Sequence, residues 1–224
     1  TAEVKAPNAY VTELSKVVGS ITDNPSSNFI KTIRIDGNHN GHNECRHIDM
    51  CDDGSRLVWC SPMKGFDGSN GSTVKGVMYI YKNTGGVWSL EYTKDSNSHH
   101  NYGRVPTFNS AGTTLFVVEY YNDQPGHGAF DGIIHVYDYD SSSSSWSETG
   151  TIYGANQEAL GLQSVTCNDA GTVFAVSKQA GQAMAGGYKI YSRPSATSST
   201  WTNNVNNGNQ YDVWNKQFGL SLCM

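Results

Sequence analysis

The chain is short of basic residues, of charge in general and of long apolar runs. Fifteen Lys and Arg stand against 20 Asp and Glu in 224 residues, for a formal net charge of −5. That balance excludes the basic footprint of a nucleic-acid binder. No apolar run approaches the ~18 residues of a membrane span. The sequence as it stands shows no signal-peptide pattern, and a chain that starts at Thr1 reads as a mature, processed or partial form. The five cysteines, Cys45, Cys51, Cys60, Cys167 and Cys223, are odd in number and irregular in spacing, so they make no disulfide framework. A convincing helical period is also missing. So are the G-x-S-x-G, H-E-x-x-H and phosphate-cradling glycine motifs in their proper settings, and no enzyme is expected on that ground.

What is present points to strands. Charged residues make up 16% of the chain, while Gly reaches 24 and Tyr 13, with five Trp. Plentiful aromatics and turn formers with little Lys and Glu favour many short β-strands.

An internal repeat organises them. The turns "CDDGSRLVWC", "NSAGTTLFVV" and "NDAGTVFAVS" carry Gly54, Gly112 and Gly171, 58 and 59 residues apart. Each is followed by a second phrase, "GVMYIY" (76–81), "GIIHVY" (132–137) or "GYKIYS" (187–192), and then by Trp88, Trp146 or Trp201. Each unit reads as four strands: one into the turn, one out of it, one ending in Tyr and one around the Trp. A four-stranded sheet repeated at a fixed period is the signature of a β-propeller blade, because one such sheet cannot bury both faces by itself. The predicted fold is all-β, a single propeller segment over 1–224. It has a partial blade at 1–35, blades at 45–93, 103–153 and 160–205, and the start of another at 218–224. "AYVTELSKVV" lies where a third strand would, and "SSNFIKTI" (26–33) matches "SSSWSETGTI" (143–152) with Phe29 in the Trp place. Ragged ends of this kind suggest a piece of a longer chain, or a ring closed between chains.

The phrases "FGLSL" (218–222), Ser164-Val165 leading to "DAGT" (169–172), and "GVMYIYKNTGGVW" (76–88) resemble the FG-GAP repeats of integrin-like surface propellers. The resemblance spans about residues 45–224. It implies a propeller at a cell surface or outside the cell that binds partners. The family's G-A-P strand end survives only as Cys60-Ser61-Pro62.

The densest polar stretch, "DGNHNGHNECRHIDMCDDG" (36–54), divides under the repeat into an inter-blade loop, a first strand and a hairpin turn. A zinc set of His39, His42, Cys45, His47, Cys51 and Cys60 is disfavoured. Cys45 and Cys51 are six residues apart on a strand, roughly 20 Å, which is too far to share one ion. A Cys45–Cys60 disulfide is conceivable across the hairpin. "DGNHNGHNE" offers Asp36, Asn38, Asn40 and Glu44 as oxygen ligands around a glycine, a pattern suited to a weak calcium loop; integrin-like propellers carry related loops. The favoured reading of the stretch is an Asn/Gly-rich turn joining blades.

In the first strands, Ile48, Pro106, Val165 and Leu222 form one packing column, and Met50, Phe108, Cys167 and Met224 another. His47 and Asp49 lie on the opposite, tolerant face. Rim loops would present His99, His100, Tyr102, Tyr121, Asp123, His127 and Phe130 to a glycan or a protein. Asn70, in "NGS", is a glycosylation acceptor if the protein is secreted. The expectation is therefore a non-enzymatic, extracellular or surface-exposed propeller module that binds a glycan or protein partner and needs no cofactor beyond possible calcium. The alternative is a structural part of a larger assembly such as a virion, fibre or appendage.

Overall fold

The computed structural model describes residues 47–62, 76–96, 102–120, 131–155, 158–180 and 185–207. Twelve strands form three four-stranded sheets, and no helix occurs among the described residues. The first sheet holds β1 (His47–Met50), β2 (Arg56–Ser61), β3 (Val77–Thr84) and β4 (Val87–Asp95). The second holds β5 (Tyr102–Phe108), β6 (Thr114–Glu119), β7 (Ile133–Asp140) and β8 (Ser145–Tyr153). The third holds β9 (Val165–Cys167), β10 (Val173–Ala180), β11 (Ala185–Ser192) and β12 (Thr202–Asn206). Every strand pairs antiparallel with its sequence neighbours inside its own sheet, as in the blades of a β-propeller.

The repeated turn sets each blade. Gly54, Gly112 and Gly171 have φ of 67°, 61° and 64°, a region that favours glycine. In the second blade Asn109 Oδ1 accepts the N–H groups of Thr113 and Thr114, each at 2.8 Å. Asn168 does the same for Thr172 and Val173 in the third. The first blade has Cys51 in that place. Its Sγ accepts the Arg56 N–H at 3.1 Å, while Asp53 takes the Ser55 N–H at 2.8 Å. A buried thiol thus replaces an amide as the turn's acceptor.

The outer strand of each blade carries one extra residue. Ile80 pairs with Tyr92 but Tyr81 with Leu90, Val136 with Gly150 but Tyr137 with Glu148, and Ile190 with Val205 but Tyr191 with Asn203. The bulged residues are therefore Glu91, Thr149 and Asn204. A bulge flips the alternation of the strand beyond it and re-aims its side chains.

Blades stack through apolar faces. Val58, Cys60, Met78 and Ile80 of the first pack on Leu115, Val117, Tyr137 and Trp146 of the second. Phe116, Val118, Ile134 and Val136 on the second blade's other face pack on Phe174, Val176 and Tyr191 of the third. The expected packing columns hold in these two interfaces, where Phe108 and Val165 are each 7% exposed. They do not hold in the first blade. Ile48 is 63% and Met50 52% exposed, because they face away from the second blade. Asp49 lies on the face toward it and is no idle position: its Oδ2 accepts the Phe108 N–H at 2.7 Å.

Candidate functional site

Each blade interface has an apolar middle with a polar cluster at either end. At the end near the repeated turns the clusters are ion pairs. Arg56 reaches Glu91 through Nε at 2.8 Å and Nη2 at 3.0 Å, donates to the Gly112 carbonyl at 3.1 Å, and lies over the Tyr139 ring. Trp146 Nε1 also donates to Glu91, at 3.0 Å. Between the second and third blades Arg193 binds Asp138 through Nη1 at 2.6 Å and Nη2 at 2.9 Å. It also donates to Thr114 Oγ1 and the Gly171 carbonyl, and sits over Trp201. Burial alone would raise the pKa of Glu91 and Asp138, but the bonds from their arginines outweigh it and lower both. These are closed, fully partnered pairs, which suits them to holding blades together.

At the far end of the first interface the chemistry is different. The β7 strand places His135 and Tyr137 on the face toward the first blade, and Glu119 closes β6 beside His135. The bulge at Thr149 brings Glu148 to that same face as Thr151, although the two are three residues apart on β8. His135 Nε2 lies 2.9 Å from Glu119 Oε2, and Nδ1 lies 2.7 Å from Glu148 Oε1. Tyr137 donates to Glu148 Oε2 at 3.3 Å, and Tyr102 donates to Tyr137 at 2.9 Å. Thr151 adds a hydroxyl to Glu148 Oε1 at 3.1 Å, and Lys94 of the first blade stands 3.7 Å from Oε2. Tyr102, Tyr137, Glu148, His135 and Glu119 form one unbroken hydrogen-bonded row.

The electrostatics follow from these bonds. Burial disfavours a charged His135 ring, but the bonds to Glu119 and Glu148 outweigh it and raise its pKa. The bond from His135, above all, holds Glu148 down at about 2. Burial drives the Tyr102 and Tyr137 phenols well above their ordinary range. The row thus sets the imidazole between two carboxyl groups, with two phenols behind it. The Glu148 side chain is 29% exposed and that of His135 13%, so Glu148 is the end that meets solvent.

The cluster breaks the repeat. Where the second blade has Glu119 and His135, the first has Ser61 and Tyr79, and the third Lys178 and Lys189. The third blade's pair is matched by one acid: Lys189 Nζ is 2.6 Å from Glu158 Oε2, and Lys178 Nζ is 3.9 Å from Oε1. Burial lowers the Lys178 pKa. No sequence motif points to Glu119, His135, Tyr137 or Glu148. The available signal was the change of type down the column Tyr79, His135, Lys189 within an otherwise regular phrase.

Most residues proposed from sequence lie outside the described residues: Asp36, Asn38, Asn40 and Glu44, Asn70, His99 and His100, and Tyr121, Asp123, His127 and Phe130. So do His39, His42 and Cys45 of the zinc and disulfide readings. Of the zinc set, His47 and Cys60 are cross-strand partners, while Cys51 is spent on its turn. No metal-holding group of His, Cys, Asp and Glu occurs among the described residues. Tyr102 is corrected: it is 1% exposed and packs beneath the His135 ring, so it presents nothing to a partner at the rim.

No family model matches the chain, and no curated protein does. The FG-GAP likeness therefore rests on the repeat phrases alone. Among solved structures, the chain is similar to a putative 6-phosphogluconolactonase from Bacteroides fragilis NCTC 9343, at 11% identity and a TM-score of 0.47. A second putative 6-phosphogluconolactonase, from Bacteroides uniformis ATCC 8492, matches at 9% identity and a TM-score of 0.47. The tricorn protease matches at 10% identity and 0.41. These alignments cover 72%, 71% and 71% of this chain, and 38%, 39% and 18% of the respective relatives. The chain thus spans well under half of each. The expectation of a module that grips a glycan or protein through its rim loops is corrected, because Tyr102, the one rim residue among those described, is buried.

Proposed function

We propose that this chain belongs to an enzyme, and that the row Glu119–His135–Glu148 on the second blade is its proton-transfer site. One observation carries the reading: a histidine and two carboxylates break the repeat at one place and bond in sequence, with one end open to solvent. Neutral packing would have served the fold as well, as Ser61 and Tyr79 do in the first blade. In this reading Glu148 is the group that meets substrate. It is kept ionised by His135 and oriented by Tyr137 and Thr151. His135 stores the proton, and Glu119 balances its charge from the far side. Lys94, at the mouth, would orient an anionic or carbonyl oxygen. The substrate class that fits is a small polar molecule whose leaving group takes a proton that passes from His135 Nδ1 through the Glu148 carboxyl, leaving His135 neutral. The FG-GAP ancestry of the repeat stands beside this as a proposal of its own.

The test is a panel of chromogenic esters, lactones and glycosides presented to the chain and to Glu148→Gln. Turnover of one class is expected, falling ~10²–10⁴-fold in the variant, the usual contribution of a positioned acid or base. Circular dichroism would show that the strands are retained. No turnover in any class, or an unchanged rate in Glu148→Gln, would refute the reading.

A further inference from the structure

Two lysines of the third blade stand where the other blades carry none. Lys178 on β10 takes the place of Ser61 and Glu119, and Lys189 on β11 that of Tyr79 and His135. Both lie on the face toward the second blade. Val176, which packs there, pairs with Lys189 and stands two residues before Lys178. Their side chains keep only 6% and 8% exposure. Among the described residues one carboxylate reaches them, Glu158, which the Ala155 N–H holds at 2.8 Å. Its Oε2 accepts Lys189 Nζ at 2.6 Å, while its Oε1 stays 3.9 Å from Lys178 Nζ, beyond hydrogen-bond length. Lys178 donates instead to Asn206 Oδ1 at 2.6 Å, a neutral acceptor. Two ammonium groups offer about six N–H donors, and Asn206 and Glu158 accept one from each. Two buried positive charges thus share one negative charge, an arrangement that costs free energy when left unbalanced.

The fold makes room for this pair. Gly187 faces Lys178 across the ladder, where the other blades carry Val77 and Ile133. A Cβ at 187 would come within 2.8 Å of Lys178 Cε and 3.1 Å of the Asn207 carbonyl. The glycine therefore lets the Lys178 stem lie across β11 with its end beside Asn206. We infer that Lys178 and Lys189 bind a small oxyanion, a carboxylate or a phosphate. Its oxygens accept the remaining N–H donors of both ammonium groups, and its charge balances the second lysine. Burial lowers the Lys178 pKa, and Lys189 adds to that against the pull of Glu158; a bound anion opposes the shift. The site is separated from the His135 row by the second sheet and does not rest on the role proposed for that row.

The test titrates the full chain by calorimetry with inorganic phosphate and, separately, with acetate, at constant ionic strength. One site with a Kd of about 1 mM or below is expected for at least one of the two anions. The tighter of them tells whether the site takes phosphate or carboxylate. Lys178→Gln and Lys189→Gln should each weaken that binding ~10–100-fold, the loss of a hydrogen bond to a charged group. Glu158→Gln removes the competing carboxylate and should tighten it at least ~3-fold, an effect that a purely structural ion pair would not produce. Circular dichroism checks that each variant keeps its strands. No heat with either anion would overturn the inference and leave Lys178 a neutral amine. Binding of equal strength in the chain and in both lysine variants would overturn it as well. Where the lysine variants fail to fold, Glu158→Gln decides alone: tighter binding supports the site, and unchanged or weaker binding refutes it.

Discussion

The two described blade interfaces solve one problem with different residues. Each places a guanidinium at the same spot: under the carbonyl of the following blade's turn glycine, over that blade's Trp and against a carboxylate of the preceding blade. At the first interface the arginine comes from the preceding blade, as Arg56 on β2, and its carboxylate from the bulge, as Glu91. At the second the arginine comes from the following blade, just after β11, in the place that Tyr139 holds one repeat earlier. Thr114 fills the Arg56 place, Asp138 the Lys82 place and Thr149 the Glu91 place. The requirement therefore belongs to the slot and not to any one column. A planar cation can bond a bent carbonyl, fork onto a carboxylate and stack on an indole together, which lysine cannot.

The comparison can be broken most sharply by removing each cation. The Arg193 side chain is 0% exposed and its loss strands Asp138, so Arg193→Met should cost about 3–5 kcal/mol in urea unfolding. Arg56 keeps slight solvent contact, 8%, and its partner Glu91 retains Trp146 and Lys82, so Arg56→Met should cost about 2–3 kcal/mol. Equal or reversed costs would mean that burial does not rank the two slots.

A transplant sharpens it further. Arg193→Tyr alone should destabilise the second interface. Adding Thr114→Arg, Asp138→Lys and Thr149→Glu rebuilds there the arrangement of the first, and should recover about 1–2 kcal/mol through coupling of contacting residues. Additive losses across the four changes would show that the slots are not equivalent.

The smallest expected effect lies at the other end of the first interface. The folded pKa of His135 is raised above 6.5, so its contribution is complete below the unfolded value and lost as pH rises through the folded one. Glu148 is lowered from 4.5 to about 2, so its contribution is present above 4.5 and lost as pH falls toward 2. The gap in melting temperature between the chain and His135→Gln should therefore be widest between pH 4.5 and 6.5 and narrow on both sides.

The sequence displayed the blades because turns and tryptophans are local and recur at one spacing. Gly54, Gly112 and Gly171 have to recur, since each takes a conformation that side chains resist. The bulge was not legible. One extra residue in β8 leaves the phrase looking regular, yet it decides that Glu148 faces His135. The arginine slots were hidden for a related reason: Arg56 and Arg193 occupy different columns, and only the stacking of sheets brings the columns together. Histidine-rich stretches drew attention first because they are dense in chain order. The described cluster is assembled from β5, β6, β7 and β8, with no two members adjacent in sequence.

The turn-to-turn ties between blades bear on how the chain reaches its fold. Phe108 to Asp49, Ser110 to Asp52, Asn109 to the Asp169 carbonyl and Cys167 to the Phe108 carbonyl join residues 58 to 60 apart. Each new blade thus closes a loop of the same length, at nearly the same entropic cost, onto a neighbour already formed. Folding of such an array spreads outward from whichever pair docks first, and a weakened joint divides it into separately melting halves.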